Sequence, residues 1–484
     1  MKGSLKDSLR KKVLLLFPPW QENIHGDGWK FSETTTVPLG LLYLATPLVK
    51  EGYHVNFVDF TVDKLQREEY FSLLKNADFV LISCYTQNLG SARVIINDVK
   101  NINENAYIVC GGPYCNHTNN RVEGSDLTVF GEAELMIVKI LDLISSKKSL
   151  DGIPGLSYIK NGKVIRNPGT LLVENLDLSE PPSFDLAKNK NYGYLYGKKV
   201  EDMTAIMTSR GCPFQCNYCT SNLTRYRERS IDNVIQEIKI REEEGAKYII
   251  FNDDNFLIRR ERVIELMDKI IEHKINLKIA IQGRIDLADF VLYKKLKEAG
   301  VAILIFGIES ANQDVLDFYN KKTTVEKIKR AIHLANKVGI LTFGNFIIGA
   351  PIEKNRHFEV NREFFKEVPL DFLSIHILHY ICPSKLWKDI YKEGFIEEND
   401  IVVAADERLS NFSNEDLVKV QDELVRSFYN NPKRIIRLMY KLSRNFGVSF
   451  ILRIIKIFFS RSIYRSAEKF HDFAVINVQI EEKG

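Results

Sequence analysis

The feature of this 484-residue sequence that most limits its fold is a repeated alternation of short apolar runs with helical patterns. The alternation occurs in two series, and the first series contains five apolar runs. They occupy residues 13–17, 55–60, 79–83, 107–110 and 127–130. A helical pattern after the first run stops at Gly52, as helices often do at glycine. Strands that alternate with helices predict a parallel sheet, so residues 1–145 are expected to form a doubly wound α/β domain.

The carboxyl ends of these five predicted strands carry small and turn-forming residues. Ligands of doubly wound domains bind at this edge of the sheet. The residues that we expect to line such a site are Pro18, Pro19, Ser83, Gly111, Gly112, Gly131 and Glu132.

The second series begins after a turn-rich connector, which we assign to residues 146–200. Its six strand candidates are residues 204–207, 247–252, 277–282, 301–308, 341–348 and 372–378. Thr323 and Glu326 form a T-x-x-E pattern, which predicts a helix capped by Thr323. Six βα units predict an open, partial (β/α)6 barrel over residues 201–400, with chemistry at the C-terminal ends of its strands. Residues 401–484 have a helical pattern and are expected to form a helical C-terminal region.

Composition and charge exclude several classes of protein. With 45% hydrophobic and 27% charged residues the chain resembles an average globular protein, which argues against global disorder. Seven cysteines and a start without a secretory pattern favour a reducing compartment, so we expect a cytoplasmic protein. The first apolar run, residues 13–17, is too short for a signal sequence or a membrane span.

The basic charge is concentrated near the C-terminus. Residues 424–467 contain ten basic side chains and no acidic one, so a net charge of +4 for the whole chain leaves −6 for the rest. Apolar residues recur between these basic residues at helical spacing, a pattern that is typical of helices on anionic membrane surfaces. The alternative is that the apolar face packs on the barrel while the basic residues stay in water. Aromatic platforms for stacking bases are not evident, so no nucleic acid is expected as a partner.

A cluster of three cysteines follows the first strand of the second series. The cysteines are Cys212, Cys216 and Cys219, with Tyr218 before the last of them. Three thiols within eight residues of a Gly- and Pro-containing loop can converge on one metal centre. A structural zinc ion needs four protein ligands, and a fourth is not close in sequence, whereas an iron–sulfur cubane can be held by three thiolates. A zinc site and three buried cysteines without a metal remain as alternatives.

The C-x3-C-x2-C spacing on the first loop of a partial barrel resembles the radical S-adenosylmethionine (radical SAM) superfamily. The resemblance implies a 4Fe-4S cluster on the three cysteines, SAM bound at its open iron, and reductive cleavage of SAM to a 5′-deoxyadenosyl radical. It also implies a reductant protein such as flavodoxin or ferredoxin as a partner. Besides Tyr218, the residues that match SAM-binding segments of the family are Asp253, Asp254, Arg284, Glu309, Ser310 and Gly349.

The first domain resembles the Rossmann-like, cobalamin-binding domain of a class of radical SAM enzymes. This class includes Mg-protoporphyrin oxidative cyclases, hopanoid-pathway enzymes and methyltransferases. The resemblance implies that cobalamin lies on the seven strand-end residues given above, from Pro18 to Glu132. The D-x-H-x-x-G signature is missing and His25 stands in the wrong order, so cobalamin is expected to bind without a protein histidine.

The resemblance implies functionalisation of an unactivated carbon, and we expect methyl transfer. The basic apolar tail favours a lipid or isoprenoid substrate and peripheral contact with the inner face of the membrane, with a small-molecule substrate as the alternative. Cyclisation or carbon–carbon joining with the same cofactors is the other reaction considered, and a non-catalytic cobalamin- or membrane-binding scaffold is the alternative from another class. A methylthiotransferase would need a second cluster on Cys84, Cys110 and Cys115, whose spacing favours ordinary core cysteines.

Overall fold

The computed structural model describes residues 11–20, 37–63, 65–188, 203–287 and 289–447, with a few positions of the connector between them. His25 and the end of the basic tail beyond residue 447 lie outside the described residues. None of the described helices combines the length and the apolar composition that crossing a bilayer requires.

The first domain is built on a seven-stranded sheet with the order β2-β1-β3-β4-β5-β6-β7. Its five parallel strands are β1 (Lys12–Phe17), β2 (His54–Asp59), β3 (Phe79–Ser83), β4 (Tyr107–Gly111) and β5 (Leu127–Val129). The helices between and after them are α1 (Leu39–Lys50), α2 (Arg67–Asn76), α3 (Leu89–Ile102), α4 (Pro113–Thr118) and α5 (Ile137–Ser145). Separate apolar clusters cover the two faces of the sheet, which confirms the doubly wound α/β fold.

Two further strands extend this sheet from the segment that was expected to be a turn-rich connector. β6 (Leu156–Lys160) pairs antiparallel with β5, and β7 (Lys163–Arg166) pairs antiparallel with β6. In this hairpin Ile159, Val164 and the three basic side chains are exposed. A strand at the edge of a sheet needs only one buried face, so its apolar pattern is weak in the sequence. Later in the connector β8 (Tyr194–Leu195) pairs with β9 (Lys198–Lys199).

The second domain is a six-stranded parallel sheet with its strands in chain order, as expected for a partial barrel. The strands are β10 (Met203–Ile206), β13 (Tyr248–Phe251), β14 (Lys278–Gly283), β15 (Val301–Glu309), β16 (Leu341–Ile348) and β17 (Phe372–Ile377). Four short strands lie outside this sheet: β11 (Ser209–Arg210), β12 (Arg227–Glu228), β18 (His379–Ile381) and β19 (Val402–Ala404). The helices up to the last barrel strand are α6 (Ile231–Glu243), α7 (Arg260–Glu272), α8 (Phe290–Glu298), α9 (Gln313–Phe318), α10 (Val325–Val338) and α11 (Asn355–Glu367).

The cap of α10 differs from the sequence prediction by one residue. Thr324 precedes the first helical residue with extended backbone angles, and its side chain accepts a hydrogen bond from the Lys327 amide. A capping side chain must reach the amide three residues on, and the first helical residue is Val325, so Thr323 lies one position too early. Gly339 ends the helix with a left-handed φ of 78°.

Three helices follow the barrel: α12 (Lys385–Lys392), α13 (Asn414–Tyr429) and α14 (Pro432–Phe446). In α14, Leu438 and Leu442 pack on the sheet against Leu341 and Phe372. The packing alternative therefore describes Leu438 and Leu442, whereas other apolar residues of α14 are exposed. Its assumption that the basic residues stay in water is wrong for part of the helix, as the contacts of its arginine and lysine side chains show.

Basic side chains of α14 turn inward because they bind groups that would otherwise be buried without partners. Arg434 donates to the carbonyl oxygens of Phe365, in the last turn of α11, and of Leu370, just after that helix. Lys441 donates to the buried carboxylate of Asp371. Cations at the C-terminal end of a helix satisfy free carbonyls and oppose its dipole.

Candidate active site

The cysteines lie on a loop of residues 211–226, called here the cysteine loop. At its base β11 pairs antiparallel with β12. The Asp254 carboxylate, which follows β13, accepts hydrogen bonds from the Gly211 amide at 3.0 Å and from Ser221 Oγ at 2.6 Å. Gly211 has φ +81°, and a Cβ there would lie 2.3 Å from the Thr224 carbonyl oxygen, so the turn requires glycine. Asp254 thus fixes two points of the loop, and the pairing of β11 with β12 closes its base.

The thiols of the loop receive hydrogen bonds that suit iron–sulfur ligands. The amide of Phe214 donates to Cys212, the amide of Ser221 donates to Cys219 Sγ at 3.4 Å, and Arg284 donates to Cys216 Sγ at 3.8 Å. Burial raises the pKa of Cys212 and of Cys219, against the effect of these amide donors. Donors to sulfur stabilise thiolates and tune bound clusters, so the donor set fits a 4Fe-4S cluster.

A single-ion site is a different arrangement from a cluster site. Within the described ranges no three histidine, cysteine, aspartate or glutamate side chains are placed so that they could hold one metal ion. The zinc alternative requires such a convergence, whereas each thiolate of a cubane binds a different iron atom. Cys84, Cys110 and Cys115 are all buried in the core of the first domain, in agreement with their interpretation as core cysteines.

Arg284, which we assigned to SAM, supports the cysteine loop. Its guanidinium donates to Asp286 at 2.9 and 3.0 Å and to the carbonyl oxygen of Lys321. It also lies 4.1 Å from the centre of the Phe214 ring and contacts Cys216. These contacts fix the buried side of the loop, and a direct contact of Arg284 with SAM stays a prediction.

A buried charged group lies next to the cysteines, at the end of β15. Glu309 Oε1 accepts a hydrogen bond from the Tyr218 hydroxyl at 2.7 Å and lies 2.6 Å from Lys321 Nζ. Glu309 has a left-handed φ of 68°, which turns the chain out of the strand. Ser310 follows it and accepts from Asn312, so its hydroxyl shapes the turn. Burial, together with the charge of Glu309, raises the pKa of Tyr218, which keeps the phenol protonated.

Lys321 is the residue of this site that was not expected from the sequence. Its side chain is 6% exposed and its ammonium is held by Glu309. No motif marks it, since it lies in the turn between α9 and α10 rather than at a strand end. The available signal was the run Asn320-Lys321-Lys322 immediately before a helix cap at a predicted barrel edge.

Asp253 and Gly349 have their polar groups bound within the protein. The buried Asp253 carboxylate accepts from the Thr208 amide and hydroxyl at 2.6 and 2.5 Å and from Ser209 Oγ at 2.7 Å. It therefore anchors the chain just before the cysteine loop. Gly349, with φ +99°, donates its amide to the buried carboxyl of Glu353 at 2.6 Å. Burial raises the pKa of Glu353 to about 7, although two backbone amides oppose this rise.

An aromatic cluster lies at the carboxyl ends of the strands of the first domain, the edge at which we expected a ligand. The rings of Phe17, Trp20 and Tyr85 contact one another edge to face, with centroids 5.3 to 5.7 Å apart. They follow or end β1 and β3, the neighbouring strands at which the chain order reverses. Pro18 and Pro19 lie between Phe17 and Trp20 in the same segment.

The glycines after β4 provide a close turn beside this cluster. Gly111 accepts a hydrogen bond from the Cys84 amide at 2.7 Å. Gly112 has φ +107°, and a Cβ there would lie 2.9 Å from the Cys84 carbonyl oxygen and 3.3 Å from Ser83 Oγ. The backbone of this turn therefore lies directly against the end of β3. A contact of these residues with cobalamin stays a prediction.

Gly131 and Glu132, also assigned to cobalamin, make contacts within the protein. Gly131 bridges to Leu171 of the connector. Both oxygens of Glu132 are bound: they accept from Arg227 at 2.7 Å on each side and from the Val173 amide at 2.9 Å. Glu132 therefore binds an arginine of the second domain with both oxygens. For this reason we treat it apart from the other strand-end residues assigned to cobalamin.

The strand ends of the two domains face each other across the cysteine loop. His117 Nε2, on α4, lies 3.3 Å from Thr224 Oγ1 in the loop, and burial lowers the pKa of His117. Thr86, after β3, donates to the Cys382 carbonyl oxygen at 3.3 Å. A ligand at the first edge and a ligand on the cysteines would therefore lie in one interdomain space.

Comparisons with known proteins agree with this arrangement. The radical SAM superfamily matches residues 206–365, and the B12 binding domain matches residues 32–141. The chain is 31% identical over 453 residues to an uncharacterized methyltransferase of Pyrococcus horikoshii, covering 89% of this chain and 95% of that protein. It belongs to the cobalamin-binding radical SAM enzymes.

Two further relatives place this radical SAM enzyme within its class. An anaerobic magnesium-protoporphyrin IX monomethyl ester cyclase of Rubrivivax gelatinosus is 28% identical over 355 residues, which are 70% of this chain and 62% of that enzyme. The structure of the radical SAM methyltransferase TsrM from Kitasatospora setae shares the fold, with a TM-score of 0.62 and 19% identity, over 80% of this chain and 75% of that one. The family resemblance and the fold class expected from the sequence are both confirmed. The cofactors of the family are a 4Fe-4S cluster, SAM and cobalamin.

Proposed function

We propose that this radical SAM enzyme transfers a methyl group to an unactivated carbon atom of its substrate. The observation that carries the proposal is the position of the cysteine loop, which is bound to Asp254 of the barrel and, through the arginines at its base, to the first domain. Both cofactor sites then face one space. The Pyrococcus relative, named a methyltransferase, supports this reaction.

The residues that would hold the cluster are Cys212, Cys216 and Cys219, with the N–H donors around them. The cluster, SAM and cobalamin supply, when bound, reductive cleavage of SAM, removal of a hydrogen atom from carbon and a methyl donor. Glu309 and Lys321 offer a carboxylate and an ammonium, which complement the amino and carboxylate groups of SAM. The role of the protein is to orient these groups and to exclude water.

Cobalamin would lie against the first domain. The aromatic cluster of Phe17, Trp20 and Tyr85 offers an apolar surface at the switch point of the sheet, where ligands of this fold bind. The close turn at Gly112 keeps side chains away from the same edge. Both features suit a large flat macrocycle.

The test is a preparation made without oxygen from cells supplied with cobalamin. We expect corrin absorption bands, four iron atoms for each chain and release of 5′-deoxyadenosine from SAM after reduction by flavodoxin, ferredoxin or dithionite. Cys212→Ala should abolish the iron and the SAM cleavage, while Cys382→Ala, at a buried cysteine outside the cysteine loop, should not. Zinc in place of iron, or no SAM cleavage, would contradict the proposal and favour the scaffold alternative.

SAM with a deuterated methyl group distinguishes the possible reactions. Methyl transfer adds one labelled methyl group to the substrate, whereas cyclisation or carbon–carbon joining consumes the substrate without that gain in mass. Polyisoprenoid and fatty-acyl lipids are the first substrates to try, because α14 exposes apolar residues beside basic ones, as on helices that bind lipid surfaces.

For α14 we propose docking on an anionic membrane. Ile436 is 70% exposed and Tyr440 is 65% exposed, and Lys433 and Arg444 are exposed on the same side at helical spacing. A helix with exposed apolar residues flanked by basic ones binds anionic lipid surfaces. This surface would bring the enzyme to a lipid substrate.

Vesicle flotation tests the docking. We expect wild-type protein to float with phosphatidylglycerol vesicles at low salt and Ile436→Glu/Tyr440→Glu to bind at least fivefold more weakly. The control is Val291→Glu, which changes an exposed apolar residue of α8 that is 63% exposed. Equal binding of all three proteins, or none by wild type, would refute the docking of α14 and leave the test of methyl transfer unaffected.

A further inference from the structure

Four charged residues, two of them buried and two largely buried, join the two domains at the base of the cysteine loop. Their side chains are at most 14% exposed, and they are called here the interdomain latch: Glu132, Glu134, Arg210 and Arg227. Glu132 and Glu134 follow β5 of the first domain, and the arginines belong to β11 and β12. The latch was not foreseen from the sequence, where Glu132 was assigned to cobalamin.

The arginines of the latch face each other across the short ribbon. The register of β11 and β12 places Arg210 directly opposite Arg227. Like charges at such positions repel, and with little water around them the repulsion is weakly screened. The pairing of β11 with β12 therefore needs negative charges beside the two arginines, and these charges must come from outside this residue pair.

Carboxylates of the first domain supply those charges. Glu132 Oε1 lies 2.7 Å from Arg227 and 3.2 Å from Arg210, and Glu134 Oε1 lies 2.7 Å from Arg210. Ser179 donates to the same Glu134 oxygen at 3.0 Å. Against the cost of burial, the two arginines hold the pKa of Glu132 below its ordinary value.

The position of the latch links it to the cysteines. Arg210 is two residues before Cys212, and Gly211 between them is fixed to Asp254 of the barrel. The Tyr43 ring of α1 lies 5.2 Å from the Arg210 guanidinium, so the arginine is enclosed by the first domain. A shift of the first domain would therefore pull directly on the loop.

We propose that the interdomain latch sets the distance between the cluster and cobalamin, with Arg210 and Glu134 as positioning residues. The inference rests on the proposed function, because it assumes both cofactors. It assigns Glu132 and Glu134 to alignment of the two sites and not to binding of cobalamin itself.

The first arm of the test uses apo protein. Glu132→Gln/Glu134→Gln should increase amide hydrogen exchange in residues 209–228 at least tenfold, because the two guanidiniums are then left together without counter-charges. The control is Glu174→Gln, which removes an ion pair between the connector and Arg225 of the same loop, with both side chains exposed, 62% and 63%. Glu174→Gln should leave the exchange unchanged. Equal exchange in the double variant and wild type would overturn the inference.

A second arm uses holoenzyme in which the cluster is reduced and the cobalamin is in the one-electron-reduced cob(II)alamin state. Pulsed electron paramagnetic resonance measures the distance between the two paramagnetic centres, which should be longer and more widely distributed in the double variant than in wild type or Glu174→Gln. The cluster's own g-values should stay unchanged, and the affinity for cobalamin should stay within threefold. With SAM and no substrate, the ratio of S-adenosylhomocysteine, left by methyl transfer to cobalamin, to 5′-deoxyadenosine should fall at least fivefold.

The affinity for cobalamin separates an aligning role of Glu132 from a direct contact with the cofactor. A tenfold loss of this affinity with an unchanged distance would show that Glu132 contacts cobalamin and would overturn the inference. Glu132→Asp/Glu134→Asp keeps both charges and should partly restore the wild-type exchange and distance. If wild-type protein binds neither cofactor, the proposed function fails and the alignment role with it, while the exchange arm alone still decides whether the ribbon depends on the two carboxylates.

Discussion

Replacement of Gly131 by alanine tests whether this glycine serves the packing of the protein or the approach of a ligand. Gly131 has φ +108°, and a Cβ there would lie 1.8 Å from the Leu171 carbonyl oxygen and 2.8 Å from its amide nitrogen. Gly152 is the matched control, because its φ is +80° and a Cβ there would meet nothing within 4 Å. Both substitutions introduce the same side chain at a left-handed position, and only one of them adds a clash.

The structure sets the size of the effect. Alanine at a left-handed position costs about 1–2 kcal/mol, and this is the whole expected cost at Gly152. At Gly131 the new Cβ would overlap the Leu171 carbonyl oxygen by more than about 1 Å. The backbone of Leu171 must therefore also move by about that distance. This movement breaks the hydrogen bonds from the Leu171 amide to Phe130 at 2.9 Å and from the Glu132 amide to Leu171 at 2.8 Å. At about 1–3 kcal/mol for each bond, the total reaches roughly 3–8 kcal/mol.

Calorimetry of apo protein and titration with cobalamin together provide the assay. We expect Gly131→Ala to lower the midpoint of the first domain's unfolding transition well below that of Gly152→Ala, and the folded fraction to bind cobalamin with little change in affinity. Equal midpoints for the two variants would refute the reasoning. The reasoning would also be refuted if Gly131→Ala had a normal midpoint but no longer bound cobalamin, because the glycine would then be needed for the approach of the ligand.

Three further predictions concern the barrel. Asp254→Ala should lower the iron content after reconstitution at least threefold, because two bonds to the cysteine loop are lost, while Ser221→Ala, which loses one, should lower it less. Lys321→Met should weaken SAM binding at least tenfold, measured by equilibrium dialysis, with the iron content unchanged, because the ammonium that would complement the SAM carboxylate is lost. Glu353→Gln should remove a pH-dependent loss of stability. Burial raises the pKa of Glu353 from 4.5 to about 7, so the folded state binds the proton more tightly than the unfolded state. The free energy of unfolding of wild type should therefore fall by roughly 3 kcal/mol as the pH rises through this range. Urea unfolding at pH 5 and pH 8 measures this loss.

Much of the fold could be predicted because buried parallel strands leave a strong signal. The predicted strands at residues 79–83 and 341–348 have the same bounds as β3 and β16, since both are rich in apolar and aromatic residues, and the second is followed by Gly349 and Pro351. The edge hairpin of β6 and β7 was missed because one face of it is in water. The cap of α10 was misplaced because two adjacent threonines offer the same chemistry, and only the start of the helix at Val325 selects Thr324.

The candidate site was predicted in its location but less well in its partners. A buried carboxylate must be bound by donors, and the sequence does not show whether these come from the protein or from a ligand. Asp253 is bound by the chain before the cysteines, Asp254 by two residues of the cysteine loop, and Glu132 by the arginines of the latch. Among the described contacts Glu309 differs from these three, because its partners Tyr218 and Lys321 are both side chains, whereas each of the other carboxylates also accepts from a backbone amide. A strand-end carboxylate therefore indicates the edge at which chemistry occurs, and its hydrogen-bond partners decide whether it binds the ligand or holds the loop that does.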